Sequence, residues 1–112
     1  MNKKQIIENT SSYHDDLIES LQNDSELLST YLQVTMEDYQ ESRDMKSFLV
    51  SLRNIVEAKG GIAKLAEKTK LNRQALYKTL SLNGNPRFET LDTIIRALGF
   101  EISIQPIQKK AA

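Results

Sequence analysis

Asn72, Arg73, Gln74, Tyr77 and Lys78 fall within seven consecutive positions of this chain. Their side chains carry the chemistry that reads nucleic acid. Arginine pairs bidentately with a guanine edge and glutamine with an adenine edge, while lysine and tyrosine reach phosphate oxygens. Asn72 is also a residue type that caps the start of a helix, here one running over Arg73–Leu80. The same three polar residues, Arg73, Gln74 and Lys78, would otherwise only solvate an exposed helix face. What decides between these readings is the frame that holds them.

That frame is GIAKLAEKTKLNRQALYKTLSLNGNPRFETLDTIIRAL, residues 61–98. It reads as two short helices joined by a tight turn, then a loop and a third helix. Leu65, Ala66, Leu71, Leu76 and Leu80 supply the apolar positions, with small Ala66 where two helices cross. The predicted elements are Ile62–Lys68, a turn at Thr69–Leu71, Arg73–Leu80, a turn-rich Ser81–Pro86, and Arg87–Leu98 stopped by Gly99. In this helix-turn-helix frame the second helix presents its polar face to a major groove.

The rest of the chain is organised around that unit. Residues 1–11 read as an irregular arm, and Ser12 as the cap of a helix over Tyr13–Gln22. Asn23-Asp24 breaks it. A further helix runs to about Tyr39, with Leu27, Leu28, Tyr31, Leu32, Thr35 and Met36 at helical spacing. Gln40–Asp44 is a polar link, and Met45–Lys59 a helix ended by Gly60-Gly61. After Gly99, Phe100–Gln105 alternates apolar and polar residues and reads as a strand ended by Pro106. A lone strand needs a partner: the N-terminal arm, a second copy or another protein. Residues 107–112 read as a tail.

Lysine plus arginine equal aspartate plus glutamate, 15 each, but the balance hides a division. Residues 1–45 hold ten acids against three bases, a net of −7, and residues 46–112 hold twelve bases against five acids, a net of +7. A basic half suits phosphate and an acidic half suits a basic protein. The absence of cysteine excludes disulfides, thiolate nucleophiles and cysteine-based zinc sites. No apolar run approaches the ~20 residues that span a bilayer, and MNKKQIIENTSS lacks the apolar stretch of a secretory signal. A soluble cytoplasmic protein is the expectation. His14 beside Asp15 and Asp16 offers too few ligands for a metal. Adjacent carboxylates such as Glu37-Asp38 diverge on a helix, and no phosphate-binding glycine loop is present, so neither an enzyme nor a cofactor is expected.

Residues 45–104 resemble the Xre or phage-repressor type of helix-turn-helix protein. Within that group, the Gly60-Gly61 step, Arg73-x-x-Leu76-Tyr77-Lys78 and Gly84-Asn85-Pro86 resemble the HigA-like antitoxins of addiction modules. Leu21, Tyr31-Leu32 and the acidic pair that follows extend the likeness to about residues 13–104. One departure is Lys70, which stands where many such turns place a glycine of positive φ. The resemblance implies an all-α fold with an acidic helical extension (1–44), a DNA-binding domain with a short C-terminal strand (45–106) and a tail (107–112). It implies a type II antitoxin that neutralises a basic RelE/ParE-like toxin and represses its own operon by binding double-stranded operator DNA as a homodimer. The alternatives are a stand-alone phage-type repressor and an interaction module that does not bind DNA.

On this reading the DNA-binding residues are Asn72, Arg73, Gln74, Tyr77, Lys78 and Arg87. Tyr77 either touches the duplex or packs beneath its helix. Arg87, after Pro86 and before Phe88, matches an arginine that phage repressors place near the minor groove. The toxin-binding residues are Asp15, Asp16, Glu19, Asp24, Glu26 and Tyr31: the acids draw a basic surface, and Tyr31 adds apolar contact. A dimer would span two half-sites roughly 34 Å apart, with Phe100–Gln105 or the last helix joining the copies.

Overall fold

The computed structural model describes residues 3–108, with side chains from Ser12 onward. Six helices follow one another: α1 (Lys3–Asn23), α2 (Ser25–Ser42), α3 (Met45–Ala58), α4 (Gly61–Thr69), α5 (Arg73–Thr79) and α6 (Phe88–Ala97). The fold is all-α, as expected.

Local chemistry sets the helix starts. Asp24 Oδ1 accepts from the Leu27 amide at 3.1 Å, and Asp44 Oδ1 from the Ser47 amide at 3.3 Å, so each carboxylate opens the helix that follows it. The Ser47 hydroxyl also donates to Asp44 Oδ2 at 2.7 Å. Asn72 Oδ1 accepts from the Ala75 amide at 2.6 Å and opens α5. Between α2 and α3 the chain turns in two residues because Arg43 adopts φ 59°, with its amide bonded to the Tyr39 carbonyl.

α3 is the organising element. It packs against α1, α2 and α4; α4 then carries α5 and α6. Phe48, Leu49, Leu52, Ile55 and Val56 of α3 are buried, and one apolar cluster runs from Leu21, Leu28 and Leu32 through them to Leu65, Leu76, Leu80, Ile94 and Leu98. The acidic and basic stretches of sequence therefore share one core. Residue 44 marks the start of a helix within that core.

Two expectations differ from the structure. Residues 3–11 are not an irregular arm: α1 starts at Lys3 and runs unbroken through Ser11 and Ser12. The Asn9–Ser12 run reads as a helix start because such residues favour caps, yet without glycine or proline the penalty of carrying them inside a helix is small. Among the described residues Phe100–Gln105 forms no strand. Phe100 rests against the core and its amide bonds to the Ile95 carbonyl, but the residues beyond it find no neighbouring edge. A strand without a partner has no ladder to hold it. At the other boundaries α2 extends to Ser42, past Tyr39, because Arg43 takes the left-handed turn; the remaining helix ends lie within one residue of expectation.

Candidate nucleic-acid and partner surfaces

α5 is a seven-residue helix anchored by one side. Leu76 is fully buried beneath it and Leu80, just past its end, is 1% exposed. This anchoring turns Arg73, Gln74, Tyr77 and Lys78 outward; all four are exposed. Residues three and four apart on a helix are neighbours, so Arg73 stands beside Tyr77 and Gln74 beside Lys78. Tyr77 does not pack beneath the helix: it is 63% exposed. Asn72 has a structural task, the cap, and its Oδ1 is occupied by the Ala75 amide.

The turn that aims α5 is held by two residues. Lys70 adopts φ 64° and its amide bonds to the Ala66 carbonyl, so the position that favours glycine is filled by a lysine in the left-handed conformation. Thr69 Oγ1 donates to the Leu65 carbonyl at 2.8 Å and accepts from the Leu71 amide at 3.2 Å, stitching α4 to the turn. On the far side, Arg87 is exposed at the N-cap of α6 with no side-chain capping bond. It lies beyond the Ser81–Pro86 loop, off the helix that carries the other candidates.

Three helices leave a groove beside α5 that sequence reasoning missed. It encloses about 350 Å³ between Arg53, Val56 and Glu57 of α3, Gly61 and Ile62 of α4, and Tyr77, Leu80 and Ser81 at α5. Its floor is apolar and its rim carries one cation and one anion. No local pattern encodes it, because its walls come from three separate stretches of chain. At its rim Glu57 accepts from His14 at 3.0 Å, an exposed pair that ties α1 to α3 across 43 residues of sequence. His14 is thus a surface partner of a carboxylate, and among the described residues no group of three or more His, Cys, Asp or Glu side chains could hold a metal.

The acid-rich face divides. Asp15, Asp16 and Glu19 are exposed on α1, and Glu26 is exposed in the first turn of α2. Asp24 is engaged as the α2 cap, and Tyr31 is half-buried with its hydroxyl accepting from Asn54 Nδ2 at 3.1 Å. Leu28 and Leu32 belong to the core, whereas Leu27 and Val34, one heptad apart on α2, are 40% and 45% exposed. The side chains available to a partner here include the α1 acids with Tyr13, which is 78% exposed, the α2 acids Glu26, Glu37, Asp38 and Glu41, and the two aliphatic residues.

Residues 11–106 match a protein family described as probable addiction module antidote protein. The chain belongs to that family. It is also 28% identical over 90 residues to an uncharacterized protein of Haemophilus influenzae, covering 80% of this chain and 87% of that relative. No solved structure matches it. Membership in an antidote family implies a toxin as partner. The matched region takes in most of α1 and all of α2 to α6, so both candidate surfaces lie within it. Among the described residues no helix is long and apolar enough to cross a membrane.

Proposed function

We propose that this antidote protein is a non-enzymatic, cytoplasmic type II antitoxin of HigA-like kind, whose α4–turn–α5 unit is an Xre-type helix-turn-helix. Its α5 enters the major groove of its own operator; Arg73, Gln74 and Lys78 carry the contact, with Tyr77 and Arg87 at its margins. Its acidic α1–α2 surface, chiefly Asp15, Asp16, Glu19 and Glu26, holds a basic RelE/ParE-like toxin. The protein represses as a homodimer over two half-sites. The observation that carries the DNA reading is the outward set of Arg73, Gln74, Tyr77 and Lys78 on a helix fixed from below by buried Leu76.

The test separates the two surfaces on one full-length chain. Fluorescence anisotropy with the promoter fragment of the chain's own operon measures DNA binding; survival of cells expressing the neighbouring toxin measures neutralisation. Reversing Asp15, Asp16 and Glu19 to lysine should abolish rescue and leave operator binding intact. Replacing Arg73 and Lys78 with alanine should do the converse. Loss of both activities by either variant, with folding retained, defeats the two-surface assignment.

A further inference from the structure

Arg53 and Glu57 stand four residues apart on α3, at the rim of the groove beside α5. Side chains at that spacing are neighbours on a helix. Asp92 and Arg96, at the same spacing on α6, do pair, at 3.3 Å. Arg53 and Glu57 do not: the ion pairs among the described residues are His14–Glu57 and Arg96–Asp92. The order of charges differs, since a base that precedes its acid along a helix is the weaker arrangement. Glu57 spends Oε2 on His14, and its Oε1 makes no hydrogen bond among the described residues. One guanidinium and one carboxylate oxygen therefore flank the same opening, and neither answers the other. The floor below them is Val56 and Leu80, both buried, with half-buried Ile62. Exposed Tyr77 forms a wall.

We propose that this groove binds a free apolar α-amino acid. Its carboxylate pairs with the Arg53 guanidinium and its ammonium with Glu57 Oε1, while its side chain covers Val56, Ile62 and Leu80 against the Tyr77 ring. The charges choose the class. A planar guanidinium takes a carboxylate bidentately. A phosphate ester would bring a second negative charge beside Glu57, and an amine alone would leave Arg53 unanswered. A carboxylate and an ammonium on one carbon answer both and add no net charge. The volume of about 350 Å³ lies at the small end of the roughly 300–1,000 Å³ of ligand sites, which suits one amino acid and not a peptide. Tyr77 favours an aromatic side chain, whose ring meets its own offset or edge-on.

The site lies beyond the function proposed above and touches it at one residue. Tyr77 lines the groove and also stands beside Arg73 on the outward face of α5. A ring held over a bound amino acid is withdrawn from the margin of the duplex. Amino acid and operator then weaken each other by the same factor. That coupling rests on the DNA reading; the ligand site does not.

Phenylalanine at millimolar concentration, titrated into the isotope-labelled full chain, should shift the amide resonances of Glu57, Ile62 and Tyr77. Removing either charge from the probe, as hydrocinnamate or phenethylamine, should weaken binding about three- to tenfold, since exposed pairs are individually modest. Arg53→Gln should erase the advantage of phenylalanine over phenethylamine, and Glu57→Gln its advantage over hydrocinnamate. Both side chains are exposed, so helical circular dichroism should be unchanged in either variant. Phenylalanine at saturation should raise the operator Kd of wild type, and at the same concentration should move that of Arg53→Gln less. Absence of shifts at the groove overturns the proposal, as does equal binding of the three probes. Weaker operator binding by Arg53→Gln, with no phenylalanine bound by wild type, would assign Arg53 to a DNA phosphate instead. Phenylalanine bound with the operator Kd unchanged would overturn the coupling alone. A wild type that binds phenylalanine and no operator would overturn the function proposed above and leave the ligand site standing.

Discussion

Arg73 begins α5 with its guanidinium unpaired among the described residues, since the ion pairs found there are His14–Glu57 and Arg96–Asp92. Its replacement by alanine should cost roughly 1–3 kcal/mol of specific binding, some tenfold to a hundredfold in Kd, and relax preference at one base position. Anisotropy titrations against single-base variants of the operator check this; unchanged affinity and specificity would remove Arg73 from the contact. Its neighbour Asn72 acts differently. Without its cap, Asn72→Ala should lower stability by about 0.5–2 kcal/mol in urea unfolding and weaken all operators alike. Lys70 runs the other way. A side chain at φ 64° carries a strain that glycine relieves, so Lys70→Gly should raise the thermal midpoint, less whatever the freer unfolded chain takes back. Asp44 adds a pH signature. The Ser47 hydroxyl and amide hold its carboxyl below its ordinary value in the folded chain. Its contribution is therefore complete above the unfolded value, about pH 4, and fades as pH falls through the lower folded one. The urea midpoint of Asp44→Asn should lie below wild type at neutral pH and converge with it in acid.

At the scale of elements, the helices were legible where periodicity and caps agreed. Asp24, Asp44 and Asn72 each precede an apolar stripe, and each accepts an amide bond from the helix it opens; of the three, the sequence reading names only Asn72 as a cap. α1 was legible only in its second half, because a run of cap-forming residues has the same composition whether it opens a helix or rides inside one. The α5 surface could be read from side-chain types alone. The groove beside it could not, since Arg53, Ile62 and Tyr77 meet only after three helices cross. Nor does sequence say that Asp24 and Tyr31 are engaged within the fold while Leu27 and Val34 are not. The loop before α6 makes its own demand. A Cβ on Gly84 would meet the Thr79 carbonyl, its oxygen in collision and its carbon 2.9 Å away. Gly84→Ala should therefore shift the α5–α6 connection and cost about 1–3 kcal/mol, seen as a lower thermal midpoint with helix content retained.

Across the whole molecule, one core serves both surfaces. Leu52 at the middle of α3 is fully buried, and the cluster around it reaches from α1 to the residue after α6. Leu52→Ala should cost roughly 2–5 kcal/mol, a large part of the 5–15 kcal/mol that holds an ordinary domain together. Operator binding and toxin neutralisation should then fail at the same temperature, and circular dichroism and tyrosine fluorescence should report one coincident transition. Two separate transitions would mean that the acidic helices and the rest fold independently. The central position of α3 also bears on turnover. A protease that opens α1 or α2 strips the cover from α3 and so leaves no working remainder: the protein is destroyed for both tasks at once. A partner seated on either surface stabilises the folded chain by mass action and slows that loss for the other. On the function proposed above, the supply of antidote and the silencing of its gene run on a single clock, which the partner itself can slow.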